Sequence, residues 1–89
     1  YFTSTYTSAD TVDGGGGTDT LFLDGDYSGG ATVASNVSGV ERINLADGNS
    51  YNLAITTATG LNTVDGSGIT TGSVTVDASA YGAALTVLG

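Results

Sequence analysis

The sequence predicts an all-β chain wound into a parallel solenoid, and three observations carry that prediction. The first is vocabulary. Thr, Val, Gly, Asp and Ser dominate, whereas Glu and Arg occur once each and Lys, Gln and Met are absent. These are strand and turn formers, with almost none of the residues that favour helices. The second is spacing, because short apolar clusters recur roughly every 10 to 11 residues, as short strands between turns do. The third is internal repetition. Thr11-Val12-Asp13-Gly14, Thr63-Val64-Asp65-Gly66 and Thr75-Val76-Asp77-Ala78 are one strand-plus-turn phrase used three times. A chain that reuses such a phrase is most simply a coil stacked on itself.

Taken in order, the strand centres fall at Val12, Leu21 to Leu23, Val33, Ile43 with Leu45, Leu53 with Ile55, Val64, Val74 with Val76, and Leu85 with Val87. Ile43-Asn44-Leu45 and Val74-Thr75-Val76 alternate apolar and polar residues, so each has one buried and one wet face. Between the strands stand turn signals: Asp13-Gly14, Asp24-Gly25, Gly29-Gly30, Asp47-Gly48, Gly60, Asp65-Gly66, Gly72 and Gly82. Asp65 and Asp77 are expected to cap their turns through side-chain-to-backbone hydrogen bonds. The segment 34–43 holds the single Glu and the single Arg. It reads as a short helical turn or an outward loop before its strand. The whole chain, 1–89, reads as one structural unit.

Size and charge narrow the functional classes. A unit of 89 residues buries only about 60–65% of its unfolded surface, so its small core needs a staple. Cysteine is absent, which excludes disulfides, and histidine is absent too, which leaves zinc without its usual ligands. Hard cations held by oxygen, or association with other chains, remain. Nine acidic residues against one basic residue give a net charge of −8. That balance excludes nucleic-acid binding and docking on anionic lipid, since almost nothing can neutralise phosphate. Uncompensated carboxylates also repel one another in the compact state, and bound cations relieve the repulsion. No run approaches the ~20 apolar residues of a membrane-spanning helix. The chain opens at Tyr1 and lacks methionine, so it reads as a fragment of a longer repeat protein. A Thr/Ser/Gly/Asp-rich chain without cysteine is expected in an extracellular bacterial protein.

The stretch DGGGGTDTLFLDGD (13–26) is the chemical focus. A phosphate-binding P-loop needs a Lys after its last Gly, and the chain has none. The dinucleotide fingerprint fails as well, because Thr20 stands where its third Gly belongs. Gly14-Gly15-Gly16-Gly17-Thr18-Asp19-Thr20-Leu21-Phe22 does match the nonapeptide G-G-x-G-x-D-x-U-x at every defined position. Glycines let successive carbonyls converge on one cation, Asp19 adds a hard anionic oxygen, and Leu21 turns inward to begin a strand. One period earlier, Ser8-Ala9-Asp10-Thr11-Val12-Asp13 keeps the Asp-x-apolar ending without the glycines.

On these residues the chain resembles the RTX (repeats-in-toxin) calcium-binding proteins of bacteria. GVERINLADGNSYNL (39–53) and TVDASAYGAALTVLG (75–89) resemble the irregular coils of surface-layer proteins and large adhesins. The resemblance implies a right-handed parallel β-solenoid of the β-roll or β-helix type. Calcium-binding turns would lie at 8–26 and irregular coils at 27–89. It implies Ca2+ held by Asp10, Asp13, Gly14, Gly16, Gly17 and Asp19, with Asp24 and Asp26 as further ligands. In the family the facing turn lies two nonapeptides away, which falls here on Tyr1 or Val37, and neither is a carboxylate. The 10-to-11-residue spacing predicts a coil wider than the family's.

Catalysis is not expected. Asp13, Asp19, Asp24 and Asp26 could form glycosidase-like pairs, but all lie in glycine turns without a supporting His, Lys or Cys. A serine nucleophile would have no base. Thr3-Ser4-Thr5-Tyr6-Thr7 lacks the fixed repeat of an ice-binding threonine ladder. The scattered Tyr1, Phe2, Tyr6, Tyr27, Tyr51 and Tyr81 read as stack ends or surface patches. The expected function is a calcium-dependent, secreted architectural module of surface-layer or adhesin type, exported unfolded through a one-step (type I) channel. Its expected partners are copies of itself, neighbouring repeats and a cell-surface polysaccharide, with no membrane insertion. The alternative is the non-catalytic calcium-binding module of a secreted protease, lipase or alginate epimerase.

Overall fold

The computed structural model describes residues 6, 10–82 and 85–88. Nine strands and no helix are found among them: β1 (Val12–Asp13), β2 (Thr20–Leu23), β3 (Tyr27–Val33), β4 (Val37–Ser38), β5 (Arg42–Leu45), β6 (Tyr51–Ile55), β7 (Thr63–Asp65), β8 (Val74–Asp77) and β9 (Thr86–Leu88). All pair in parallel, in the orders β2-β5-β7-β9, β3-β6-β8 and β1-β4. An isolated bridge from Ser38 to Thr59 extends the third sheet. The chain is a parallel β-solenoid of about three turns, as expected.

The register sets the coil length. Thr20 pairs with Arg42, Arg42 with Thr63 and Thr63 with Thr86, so successive rungs lie 22, 21 and 23 residues apart. The spacing read from the sequence is therefore half a coil, and every coil carries two principal strands. A coil of this length exceeds the two nonapeptides of an RTX roll. The surplus forms a third, narrow face at β1, β4 and Thr59.

Alternation puts one apolar stripe from β2, β3, β5, β6 and β7 inside. Leu21, Leu23, Val33, Ile43, Leu45, Leu53, Ile55 and Val64 fill the core. Full burial of each such side chain contributes about 1.5–3 kcal/mol. The segment 34–43 departs from its expected form. Residues 34–37 form a tight turn closed by the Val37 N–H on the Ala34 carbonyl at 2.9 Å, Val37 and Val40 are buried in the core, and no helix forms.

Tyr27 and Tyr51 depart from the sequence reading, whereas Tyr6 stands at a stack end. Tyr27 and Tyr51, paired in β3 and β6, are buried and stack with ring centroids 5.9 Å apart. The Tyr51 hydroxyl donates toward the carbonyls of Leu23 (3.0 Å) and Ala46 (2.9 Å), tying the two sheets together at their corner. Tyr6 is buried over the first coil; its hydroxyl donates to the Thr32 carbonyl at 3.0 Å, and Asn36 donates to that hydroxyl at 2.9 Å. Burial raises the pKa of both Tyr6 and Tyr27. Tyr1, Phe2 and the threonines of the 3–7 stretch lie outside the described residues.

Candidate functional site

The glycine loop 14–19 forms the corner between β1 and β2 in the first coil. Residues 39–41 form the same corner one coil on. Gly14 N–H donates to the Ser38 carbonyl at 2.8 Å, which draws the two corners together. The approach is close enough that only glycine fits. A Cβ on Gly14 would stand 2.2 Å from the Gly39 carbonyl oxygen and 2.9 Å from Asp19 Oδ2. Gly15, Gly17 and Gly39 have positive φ (72°, 84° and 66°), the left-handed backbone that this corner requires.

Asp19 and Glu41 meet at this corner. The Asp19 N–H donates to Glu41 Oε1 at 2.7 Å, and the Asp19 carbonyl accepts from the Glu41 and Arg42 N–H groups at 3.2 Å. Asp19 Oδ2 is buried and has no hydrogen-bond partner. An ionised oxygen in that position is costly unless something positive meets it. It lies against the Gly14 hollow, which the Gly39 carbonyl oxygen also lines. Glu41 Oε2 stands 3.5 Å from where a Cβ on Gly60 would be, so the next corner leaves it room too. The donor set is two carboxylates and backbone carbonyls, which are hard oxygens without nitrogen or sulfur and suit calcium. Among the described residues no three acidic side chains converge as a metal cluster.

The other sequence-predicted ligands are placed as follows. Asp13 lies at the base of the loop, where its Oδ1 accepts the Gly15 N–H at 2.9 Å. Gly16 is exposed at the loop tip, with open space where a Cβ would be. Asp10 precedes β1, and its carbonyl accepts from the Asn36 amide at 2.9 Å. Asp24 and Asp26 belong to a different corner, between β2 and β3, and do not join the Asp19 corner. Asp24 Oδ1 accepts from Asn49 Nδ2 at 3.2 Å. Asp26 Oδ1 accepts the Ser28 N–H at 2.9 Å, and hydrogen bonds from Ser28 lower its pKa.

Glu41 was not among the residues that the sequence singled out. The signal was present but needed the coil length: Glu41 lies 22 residues after Asp19, the offset of the Thr20–Arg42 pair. The eighteen-residue offset implied by the family repeat lands instead on Val37, which is fully buried.

The remaining carboxylates hold turns. Ser67 N–H donates to Asp65 Oδ1 at 2.9 Å and Ser79 N–H to Asp77 Oδ1 at 3.0 Å, so both cap turns as expected. The repeated Thr-Val-Asp phrase thus marks one turn geometry on three different faces, at β1, β7 and β8. Ser67 chiefly lowers the Asp65 pKa, and Arg42, which also pairs with Asp65, lowers it further. On the outer face of the sheet, Phe22, Asn44, Asp65 and Ser67 line a shallow groove. No family model, curated protein or solved structure matches the chain.

Proposed function

We propose that the chain is a calcium-binding architectural module of an extracellular bacterial protein, of RTX-like surface-layer or adhesin type. The observation that carries this reading is Asp19 Oδ2, a buried carboxylate oxygen without a partner, in a glycine corner it shares with Glu41. Asp19, Glu41 and the Gly39 carbonyl would hold the ion, and Asp13 would shape the loop through its bond to Gly15. Calcium would supply the positive charge that this corner lacks. Since only the folded coil brings residues 19 and 41 together, ion binding would add to folding stability.

The net charge of −8 gives the linkage its direction. Self-repulsion weakens the compact state where calcium is scarce, and binding outside the cell offsets it. The module would stack with copies or neighbouring repeats, and a polysaccharide partner would meet the Phe22 groove.

Far-UV circular dichroism during a titration from EGTA to about 10 mM calcium tests the reading, over the range of extracellular calcium modules. The expected result is a β-spectrum that appears or gains thermal stability with calcium and not with equimolar magnesium. A spectrum and a melting temperature unchanged by calcium would make the loop a tight turn and nothing more.

A further inference from the structure

The outer face of the sheet formed by β2, β5 and β7 carries a row of three side chains that the register sets in line. Phe22 pairs with Asn44 and Asn44 with Asp65. An aromatic ring, an amide and a carboxylate therefore stand on successive rungs, about 4.8 Å apart. Together with Leu45, Ser67 and Gly68 they line a shallow groove of about 240 Å³. The groove lies on the side of the solenoid, across the direction of stacking, so it is not a surface on which coils stack.

The polar groups around the groove hold one another and leave a defined set of hydrogen-bonding positions. Arg42 Nε donates to Asn44 Oδ1 at 2.7 Å, and Arg42 Nη2 pairs with Asp65 Oδ2. A guanidinium only donates, so the Asn44 atom that meets it must be the oxygen. The Nδ2 group is thereby turned away from Arg42, and its two N–H donors have no partner among the described residues. Ser67 commits its hydroxyl proton to Asp65 Oδ1 at 2.5 Å, and its backbone N–H meets the same oxygen at 2.9 Å. The Ser67 Oγ thus has only lone pairs to offer. The groove presents one fixed donor group and one fixed acceptor beside the apolar surface of Phe22 and Leu45.

We propose that this groove binds one ring of a neutral polysaccharide. Asn44 Nδ2 donates to a ring hydroxyl, a neighbouring hydroxyl donates to Ser67 Oγ, and the C–H face of the ring lies on the apolar side of the groove. A hydroxyl both donates and accepts, so adjacent hydroxyls of a sugar ring satisfy the two groups together. An acidic sugar is disfavoured, because its carboxylate cannot donate to Ser67 and would meet Asp65 in a chain of net charge −8. The volume lies below the roughly 300–1,000 Å³ of sites that enclose a drug-sized ligand. It suits a single ring of a longer chain that passes over the sheet. The assignment rests on the polysaccharide partner proposed above, and Asp19 and Glu41 take no part in it.

Proton–nitrogen correlation spectra of the full chain test it, recorded at about 10 mM calcium with a β-spectrum verified first. The chain is titrated to about 20 mM, the reach needed for a weak site. The probes are neutral hexasaccharides of glucose, mannose, galactose and N-acetylglucosamine, an acidic hexagalacturonate, and a neutral Gly-Ser peptide. At least one neutral sugar is expected to bind with a roughly millimolar Kd and to shift the Asn44 side-chain NH2 and the Ser67 amide first. Asn44→Asp keeps the oxygen that Arg42 meets and removes the donor, and is expected to weaken that sugar about fivefold or more. Asn52→Asp makes the same change on the outer face of β6, away from the groove, and is expected to stay within about twofold, since distant exposed charges are screened. A sugar that binds with the Asn44 and Ser67 signals unmoved overturns this site and leaves the polysaccharide partner standing. No binding by any neutral sugar overturns both. Hexagalacturonate or the peptide binding as tightly as the best sugar overturns the ligand class, and an Asn44→Asp chain with the parent's affinity overturns the role of Nδ2.

Discussion

Asp19 and Glu41, one coil apart, hold each other through reciprocal hydrogen bonds. The Asp19 N–H reaches Glu41 Oε1 at 2.7 Å, and the Glu41 N–H reaches the Asp19 carbonyl at 3.2 Å. The exchange fixes the stacking of two successive corners and brings Asp19 and Glu41 to the same corner of the fold. Each of these contacts depends on the coil length, since a coil of eighteen residues would have set Asp19 against Val37.

The glycine corner separates steric from permissive glycines. Gly14→Ala would drive a Cβ to 2.2 Å from the Gly39 carbonyl oxygen, and Gly72→Ala to 2.1 Å from that of Asn49, at φ +119°. Each is expected to destabilise the chain by about 2–4 kcal/mol. Gly16→Ala meets nothing within 4 Å and no positive φ, and is expected to change stability by less than about 1 kcal/mol. Urea unfolding of the three variants checks the ranking. Equal losses at Gly14 and Gly16 would show that the corner is not packed as described.

Tyr51→Phe keeps the ring on Tyr27 and removes the hydroxyl that bridges the Leu23 and Ala46 carbonyls. The Leu23 carbonyl keeps the Ala46 N–H at 3.0 Å, so loss of the hydroxyl's own bonds is expected to cost about 0.5–1.5 kcal/mol. Thermal unfolding followed by circular dichroism measures it. A Tyr51→Phe chain as stable as the parent would mean that the packed ring alone joins the sheets.

The pH dependence turns on Asp47. Its carboxylate accepts the N–H groups of Thr71 (2.9 Å), Thr70 (2.7 Å) and Gly48 (2.8 Å) and the Thr70 hydroxyl (2.7 Å). Those bonds, with that of Thr71 first, hold its pKa far below the ordinary aspartate value. The Ser79 N–H does the same more mildly for Asp77. A carboxyl depressed in the folded state stabilises fully above about pH 4, and the gain fades as pH falls through the folded value. Asp47→Asn is expected to lower the melting temperature at pH 7 and to flatten its decline between about pH 4 and pH 2. A variant that melts like the parent at both ends of that range would remove Asp47 from the acid limb.

Much of this architecture was legible in the residues. Ile43-Asn44-Leu45 and Val74-Thr75-Val76 gave their strands by alternation alone, and the asparagine-free Asp-Gly pairs marked turns where turns occur. The closure of the coil was less legible, because it depends on which strands stack rather than on which exist. The third face rests on β1 and β4, two residues each, where single valines (Val12 and Val37) carry no periodicity. Tyr27 and Tyr51 misled for a related reason. They look isolated in sequence, and only a 24-residue register sets one ring on the other. At the candidate site, Asp19 stood out by its motif, whereas Glu41 lies in a segment without one. Asp24 and Asp26 are near Asp19 in sequence, but β2 carries them to the next corner.

The most direct test is the calcium affinity of three chains by titration calorimetry: the parent, Glu41→Gln and Asp26→Asn. Both substitutions remove one negative charge, so the net charge changes equally and only position differs. The account predicts that Glu41→Gln weakens calcium binding roughly tenfold or more, as loss of a charged ligand does, and that Asp26→Asn stays within about twofold of the parent. Equal weakening by both, or an unaffected Glu41→Gln chain, would contradict the assignment of the ion to the Asp19–Glu41 corner.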